Sequence, residues 1–176
     1  MTISEWQDLK PRIFRDFPNL TWVENVKYRW EHGGNCGMDE DPMCDNVGNV
    51  ISFPWGDFSP LNEIFGICGC GMPKEVVKKF YYPFLKAMKA EHDFNMSHSL
   101  KEIRERQDKE KENRDEKKPF TYWNIVDDIV LEHLILYALD NLKLTEHGTS
   151  VCCSFLSQKG ETALMLCDAI LGENNV

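Results

Sequence analysis

Between His32 and Met72 the chain has the texture of neither a helix nor a strand. Gly, Pro, Asp and Asn surround isolated hydrophobes, with turn signals at Gly33-Gly34, Pro54, Gly56, Pro60 and Gly66. A connection this long is uncommon inside a compact domain unless it binds something, contains short strands or is held by a local staple. Any fold open to this chain must therefore account for the segment by a ligand, by short strands or by a staple. Val50 to Phe53 is the one short strand that the segment suggests.

The cysteines offer a staple. Cys36 and Cys44 precede the run Gly66-Ile67-Cys68-Gly69-Cys70-Gly71. Four thiolates can complete the tetrahedral shell of Zn²⁺, each about 2.3 Å from the metal. Glycines permit the sharp turns that point close cysteines inward, and backbone amides at such turns stabilise thiolate charge. The expected centre is one structural Zn²⁺ on Cys36, Cys44, Cys68 and Cys70, with His32 as a substitute ligand. The spacing departs from the common pattern, since seven residues separate the first pair and one separates the second, whereas zinc knuckles use about two to four. The alternative is a set of reduced or partly buried cysteines in glycine-shaped turns. A redox pair is disfavoured by the single residue between Cys68 and Cys70. Asp39, Glu40, Asp41 and Asp45 lack the ordered ligand pattern of a calcium hand, so a solvated acidic turn is the simpler reading, and one that could help recognise a basic partner.

Outside this stretch, helical signals dominate. Ser4 and Gln7 form a capping box for a short helix carrying Trp6 and Leu9, which Pro11 is expected to end or kink before Ile13, Phe14 and Phe17 continue the apolar surface. Leu20 to Trp30 fits either a strand or a helix, with the helix preferred because Gly33 and Gly34 supply a stop. Pro73 suits the first position of a helix whose Val76, Val77, Phe80, Phe84 and Met88 face the core, with a bend at Pro83. Residues 101–118 carry eight Lys or Arg and seven Asp or Glu, with Glu102/Arg106 and Glu110/Arg114 pairs, and read as an exposed helix or solvated linker. Thr121 and Asn124 suit the start of a second major helix. Its Trp123, Ile125, Val126, Ile129, Val130, Leu134, Leu136 and Tyr137 are apolar over more than one stripe, which predicts a central helix contacted from several sides. After Leu142 the chain turns through Thr145, His147 and Gly148. Val151 to Phe155 suggests a short hairpin, and Ser157 caps a last helix with Ala163, Leu164, Cys167, Ile170 and Leu171 inward and Gly172 at its end.

These signals predict an α+β protein: a mostly helical single domain with an irregular cysteine- and glycine-rich middle and a short C-terminal hairpin. The expected parts are an N-terminal helical part with the cysteine-rich loop region over 1–96, an exposed charged helix or linker over 97–119, and a helix-hairpin-helix part over 120–176 packed on the same core. An apolar fraction of 42%, with five Trp and ten Phe, is enough to form that core.

Charge and cysteine usage narrow the setting. A formal charge of −9 argues against broad attraction to nucleic acid or anionic membrane. Met1 to Lys10 holds no signal-peptide apolar region, and no apolar run approaches the roughly 20 residues that cross a bilayer. Seven unevenly spaced cysteines fit reduced thiols. The expectation is a cytoplasmic protein with a protein partner, no membrane and no favoured nucleic acid.

No catalytic constellation stands out. A Cys153–His147 nucleophile pair is conceivable, but Cys152, Cys153 and Cys167 read more simply as structural residues, with one of the adjacent pair buried. His133 in an apolar helix reads as a hydrogen-bonded packed histidine, and Asp127 and Asp128 complement a helix dipole. The glycine patterns lack the endings of a phosphate-binding loop or a dinucleotide fingerprint.

Phe155-Leu156-Ser157-Gln158-Lys159-Gly160-Glu161-Thr162-Ala163-Leu164 resembles the wing-to-last-helix passage of winged-helix regulators. That resemblance implies a nucleic-acid-associated regulator, although the preceding helix is more hydrophobic than a DNA-reading helix and no base-contacting residue carries over. Phe65-Gly66-Ile67-Cys68-Gly69-Cys70-Gly71-Met72-Pro73, together with Leu144-Thr145-Glu146-His147-Gly148-Thr149-Ser150, looks like small proteins encoded by bacteriophages. That resemblance implies a viral protein of an infected bacterial host's cytoplasm and carries no functional residues. The leading expectation is a non-enzymatic phage interaction or regulatory protein that engages a host or phage protein and is stabilised by zinc. The alternatives are the winged-helix-like regulator and a metal-dependent or cysteine enzyme.

Overall fold

A computed structural model describes residues 3–19, 60–67, 73–112 and 125–171. These are mostly helical, with a two-stranded antiparallel hairpin near the C-terminus, in agreement with the class read from periodicity and turn residues. Leu20 to Trp30, the suggested strand Val50 to Phe53 and most of the irregular middle lie outside the described residues. The described residues fall into two compact units, one drawn from Met1–Lys78 and Thr162–Val176, the other from Lys79–Glu161.

In the first unit, α1 (Ile3–Asp16) buries Leu9 and Ile13, and Phe17 extends the same stripe one turn further. Of the two outcomes expected of Pro11, an end or a kink, the end does not occur: the helix runs on past it. Pro11 is exposed, and its missing N–H removes one of the helix's internal hydrogen bonds without breaking the helix. The short α2 (Pro60–Ile64) buries Leu61 and Ile64, and Gly66, at φ 61°, turns the chain away after it. Pro73 opens α3 (Pro73–Val76), which packs on α2. The final helix, α7 (Gln158–Leu171), contributes the buried Ala163, Leu164, Leu166 and Cys167. Thr162 Oγ1 donates to Asp16 Oδ2 at 2.6 Å, tying α7 to the end of α1.

A π-helical turn, Val77–Tyr81, leads into α4 (Tyr82–Ser97), which places the buried Phe84, Leu85 and Met88 in the second unit. The widened turn accommodates Pro83, whose ring would crowd the carbonyl four residues back and which has no N–H to give it. Ser99 caps α5 (Leu100–Glu112) in a reciprocal box: Ser99 N donates to Glu102 Oε2 at 2.8 Å, and Glu102 N to Ser99 Oγ at 3.4 Å. The expected Glu102/Arg106 pair is thereby replaced. Arg106 instead reaches Glu110 at 2.9 Å and Glu91 of α4, with its guanidinium 4.3 Å from the Phe94 ring centroid. This charged helix is exposed, as its composition predicts, yet fastened to α4.

The second unit is completed by α6 (Ile129–Asn141), strand β1 (Thr145–Glu146), a 3₁₀ turn (Val151–Cys153) and strand β2 (Phe155–Leu156). Thr145 pairs with Leu156, and Glu146 with Phe155. The 3₁₀ turn and β1 pack on α6, and β2 packs on α4.

Candidate functional site

The helix α6 carries the features that distinguish this surface. Asp128 is its N-cap: the carboxylate accepts from Val130 N at 2.8 Å and from Leu131 N at 3.3 Å. The helix therefore begins at Ile129, later than Thr121 and Asn124 suggest; those two residues lie outside the described ones. At its other end, Lys143 N donates to Asp140 O at 2.8 Å and Leu144 N to Leu139 O at 3.0 Å. This is the paired closure of a Schellman motif, with Lys143 at φ 62° where glycine is usual.

One face of α6 buries Ile135, Leu136 and Leu139, together with Glu132. The opposite face shows Val130 at 62%, Leu134 at 62% and Tyr137 at 55% exposure. These three follow each other at helical spacing, so they form one continuous apolar stripe. The expectation of a helix contacted from several sides is thus corrected: one stripe is covered and a second is open to solvent. The stripe has an acidic frame. Asp127 and Asp128 are exposed at its N-terminal end and Asp140 lies near its C-terminal end, and no Lys or Arg occurs from Ile125 to Leu142.

Beside this stripe, the 3₁₀ turn brings Cys152 to His133. Cys152 Sγ and His133 Nε2 are 2.8 Å apart, both side chains half-buried. Ser150 fixes the turn by accepting from Cys152 N at 3.2 Å. The histidine is thus hydrogen-bonded within the fold, as its apolar setting suggests. The Cys153–His147 pair considered from the sequence is not formed. Cys153 is exposed, and His147 places Nδ1 3.1 Å from Gly148 O and Nε2 3.6 Å from Asp140 Oδ1. Of the adjacent cysteines neither is fully buried, contrary to the expectation that one is; both lie in a 3₁₀ turn where Val151 to Phe155 suggested a hairpin. Cys167 is fully buried, and burial, aided by Asp168, pushes its thiol up so that it stays protonated.

The expectation of a structural Zn²⁺ is corrected. Among the described residues no group of three or more His, Cys, Asp or Glu stands where it could hold a metal ion. Cys152 and His133 supply two donors, short of the four that a closed zinc shell requires. The proposed ligands Cys36, Cys44, Cys68, Cys70 and His32, and the acidic turn at Asp39, Glu40, Asp41 and Asp45, lie outside the described residues.

Sequence reasoning missed both the open stripe and the Cys152–His133 pair. Val130, Leu134 and Tyr137 were visible at their spacing, but so was the stripe on the other side, and periodicity does not say which face is covered. The thiol and imidazole stand 19 positions apart in the chain and meet only because the 3₁₀ turn packs on α6. Among the described residues no helix is long and apolar enough to cross a membrane. Comparisons with protein-family models, curated proteins and solved structures return no match.

Proposed function

We propose that this chain is a non-enzymatic interaction protein that docks a segment of another protein on the open face of α6. The observation that carries the reading is the exposed stripe Val130, Leu134 and Tyr137 within an acidic frame. Large apolar side chains scattered singly on a surface need no explanation, but a contiguous row on one helix favours a partner. The complementary occupant is an amphipathic segment whose apolar side chains lie on the stripe and whose flanking Lys or Arg meet Asp127, Asp128 and Asp140. A second copy of this chain is disfavoured as occupant, because pairing two α6 faces would oppose acidic ends. The same acidity disfavours a nucleic-acid backbone. The resemblance to small phage-encoded proteins supports placing the partner among host or phage proteins of a bacterial cytoplasm.

The test uses two labelled helical peptides, one with a Leu stripe flanked by Lys and one with the same stripe flanked by Glu, followed by fluorescence anisotropy. The Lys peptide should bind more weakly as salt rises, and Leu134→Ser with Tyr137→Ser should weaken it by about tenfold or more. Equal binding of both peptides, or binding indifferent to the double substitution, would overturn the reading. So would a dimer, seen by sedimentation, that the double substitution dissolves, because the stripe would then belong to a second copy.

A further inference from the structure

Three thiols among the described residues sit in three environments. Cys167 is buried and protonated, Cys153 is exposed, and Cys152 is half-buried with His133 Nε2 at 2.8 Å from its sulfur. We propose that Cys152 is a modification site: a nucleophilic thiol that reacts with small uncharged electrophiles while His133 takes its proton. The inference rests on different atoms from the docking stripe and stands apart from it.

General thiol chemistry and two features of the fold support the assignment. A thiol reacts through its sulfur lone pair once its proton leaves, and a base within hydrogen-bond reach accepts that proton as the new bond forms. The geometry is held by backbone elements: the Ser150 hydroxyl caps the turn that carries Cys152, and that turn packs on the helix that carries His133. Finally, half-burial admits a small reagent, and a chain of formal charge −9 disfavours an anionic one. With iodoacetamide the balance is simple. Cys152 Sγ attacks the methylene carbon, the S–C bond forms as the C–I bond breaks, and iodide leaves with the electron pair. The thiol proton passes to His133 Nε2 and then to water.

The test measures labelling of the intact, reduced chain by iodoacetamide, with the labelled positions separated by peptide fragmentation between Cys152 and Cys153. Cys152 should label faster than its more exposed neighbour Cys153, while Cys167 stays unlabelled. His133→Ala should slow Cys152 by about tenfold or more and leave Cys153 unchanged. Free imidazole should restore part of the Cys152 rate in that variant without changing Cys153, which a purely packing role for His133 does not predict. Cys152 labelling more slowly than Cys153 in the unsubstituted protein would overturn the proposal, and that comparison stands even if His133→Ala unfolds and exposes Cys167. In a variant that keeps Cys167 protected, an unchanged Cys152 rate, or a loss that imidazole does not restore, would also overturn it.

Discussion

Gly160 stands at the third position of α7, where a methyl group has no room. A Cβ built there lies 1.8 Å from Leu144 O, 2.9 Å from Leu144 C and 3.3 Å from Leu156 Cδ2. Its nearest neighbour is backbone, so no rotamer change relieves the overlap; the first turn of α7 must retreat by roughly 1 Å or more. That retreat pulls on the junction where Ser157 N donates to Leu144 O at 3.1 Å and Ser157 Oγ donates to Lys143 O at 2.8 Å. Overpacking costs about 1–3 kcal/mol, and each junction hydrogen bond contributes about 1 kcal/mol. The better helix propensity of alanine offsets about 1 kcal/mol. Gly160→Ala should therefore destabilise the protein by about 3 kcal/mol, lowering Tm by about 6–12 °C for a chain of this size. Urea unfolding followed by circular dichroism should show the midpoint falling with little change in slope. Gly148→Ala is the control, since nothing lies within 4 Å of a Cβ there. Equal or greater stability of Gly160→Ala would rule out the steric account, because propensity alone predicts stabilisation and only the close approach reverses the sign.

Two further outcomes follow from the same structure. Lys143→Gly should raise the unfolding free energy by about 1 kcal/mol in the same urea assay, because it relieves a left-handed residue at φ 62° while keeping both closing hydrogen bonds of α6; a lower midpoint would refute this. The Asp16 carboxyl is held below the usual carboxylate range by the Arg15 guanidinium first and by the Thr162 hydroxyl, against burial that pushes it up. The unfolded chain then binds the proton more readily, so the contribution of Asp16 is present in full above the ordinary Asp value of about 3.9 and is lost as pH falls through the lower folded value. Asp16→Asn should accordingly be less stable at neutral pH and lose less stability than the unsubstituted protein on acidification below about pH 4, and parallel pH profiles of the urea midpoint would refute the assignment.

Local chemistry was legible at several element starts, though not at Asp128, which caps α6 in place of the expected Thr121 and Asn124. Pro73 opens α3, Ser157 caps α7, and the mixed charges of Leu100–Glu112 form an exposed helix, because caps, proline geometry and i to i+4 pairing operate within a few positions. The same rules left Pro11 to end or to kink its helix, and the helix runs on past it with the ring exposed. They also gave no sign of Lys143 in the left-handed region, a conformation held by the pairing of β1 with β2 and by the Ser157 hydroxyl on the Lys143 carbonyl. In α6 the two apolar stripes along one helix are readable from residue order, since spacing alone sets which side chains share a face. Packing sets the rest: Ile135, Leu136 and Leu139 are covered, Val130, Leu134 and Tyr137 are open, and Cys152 meets His133. Burial and long-range contact depend on what packs against a helix, and that information is spread over the chain and not written in any one stretch of it.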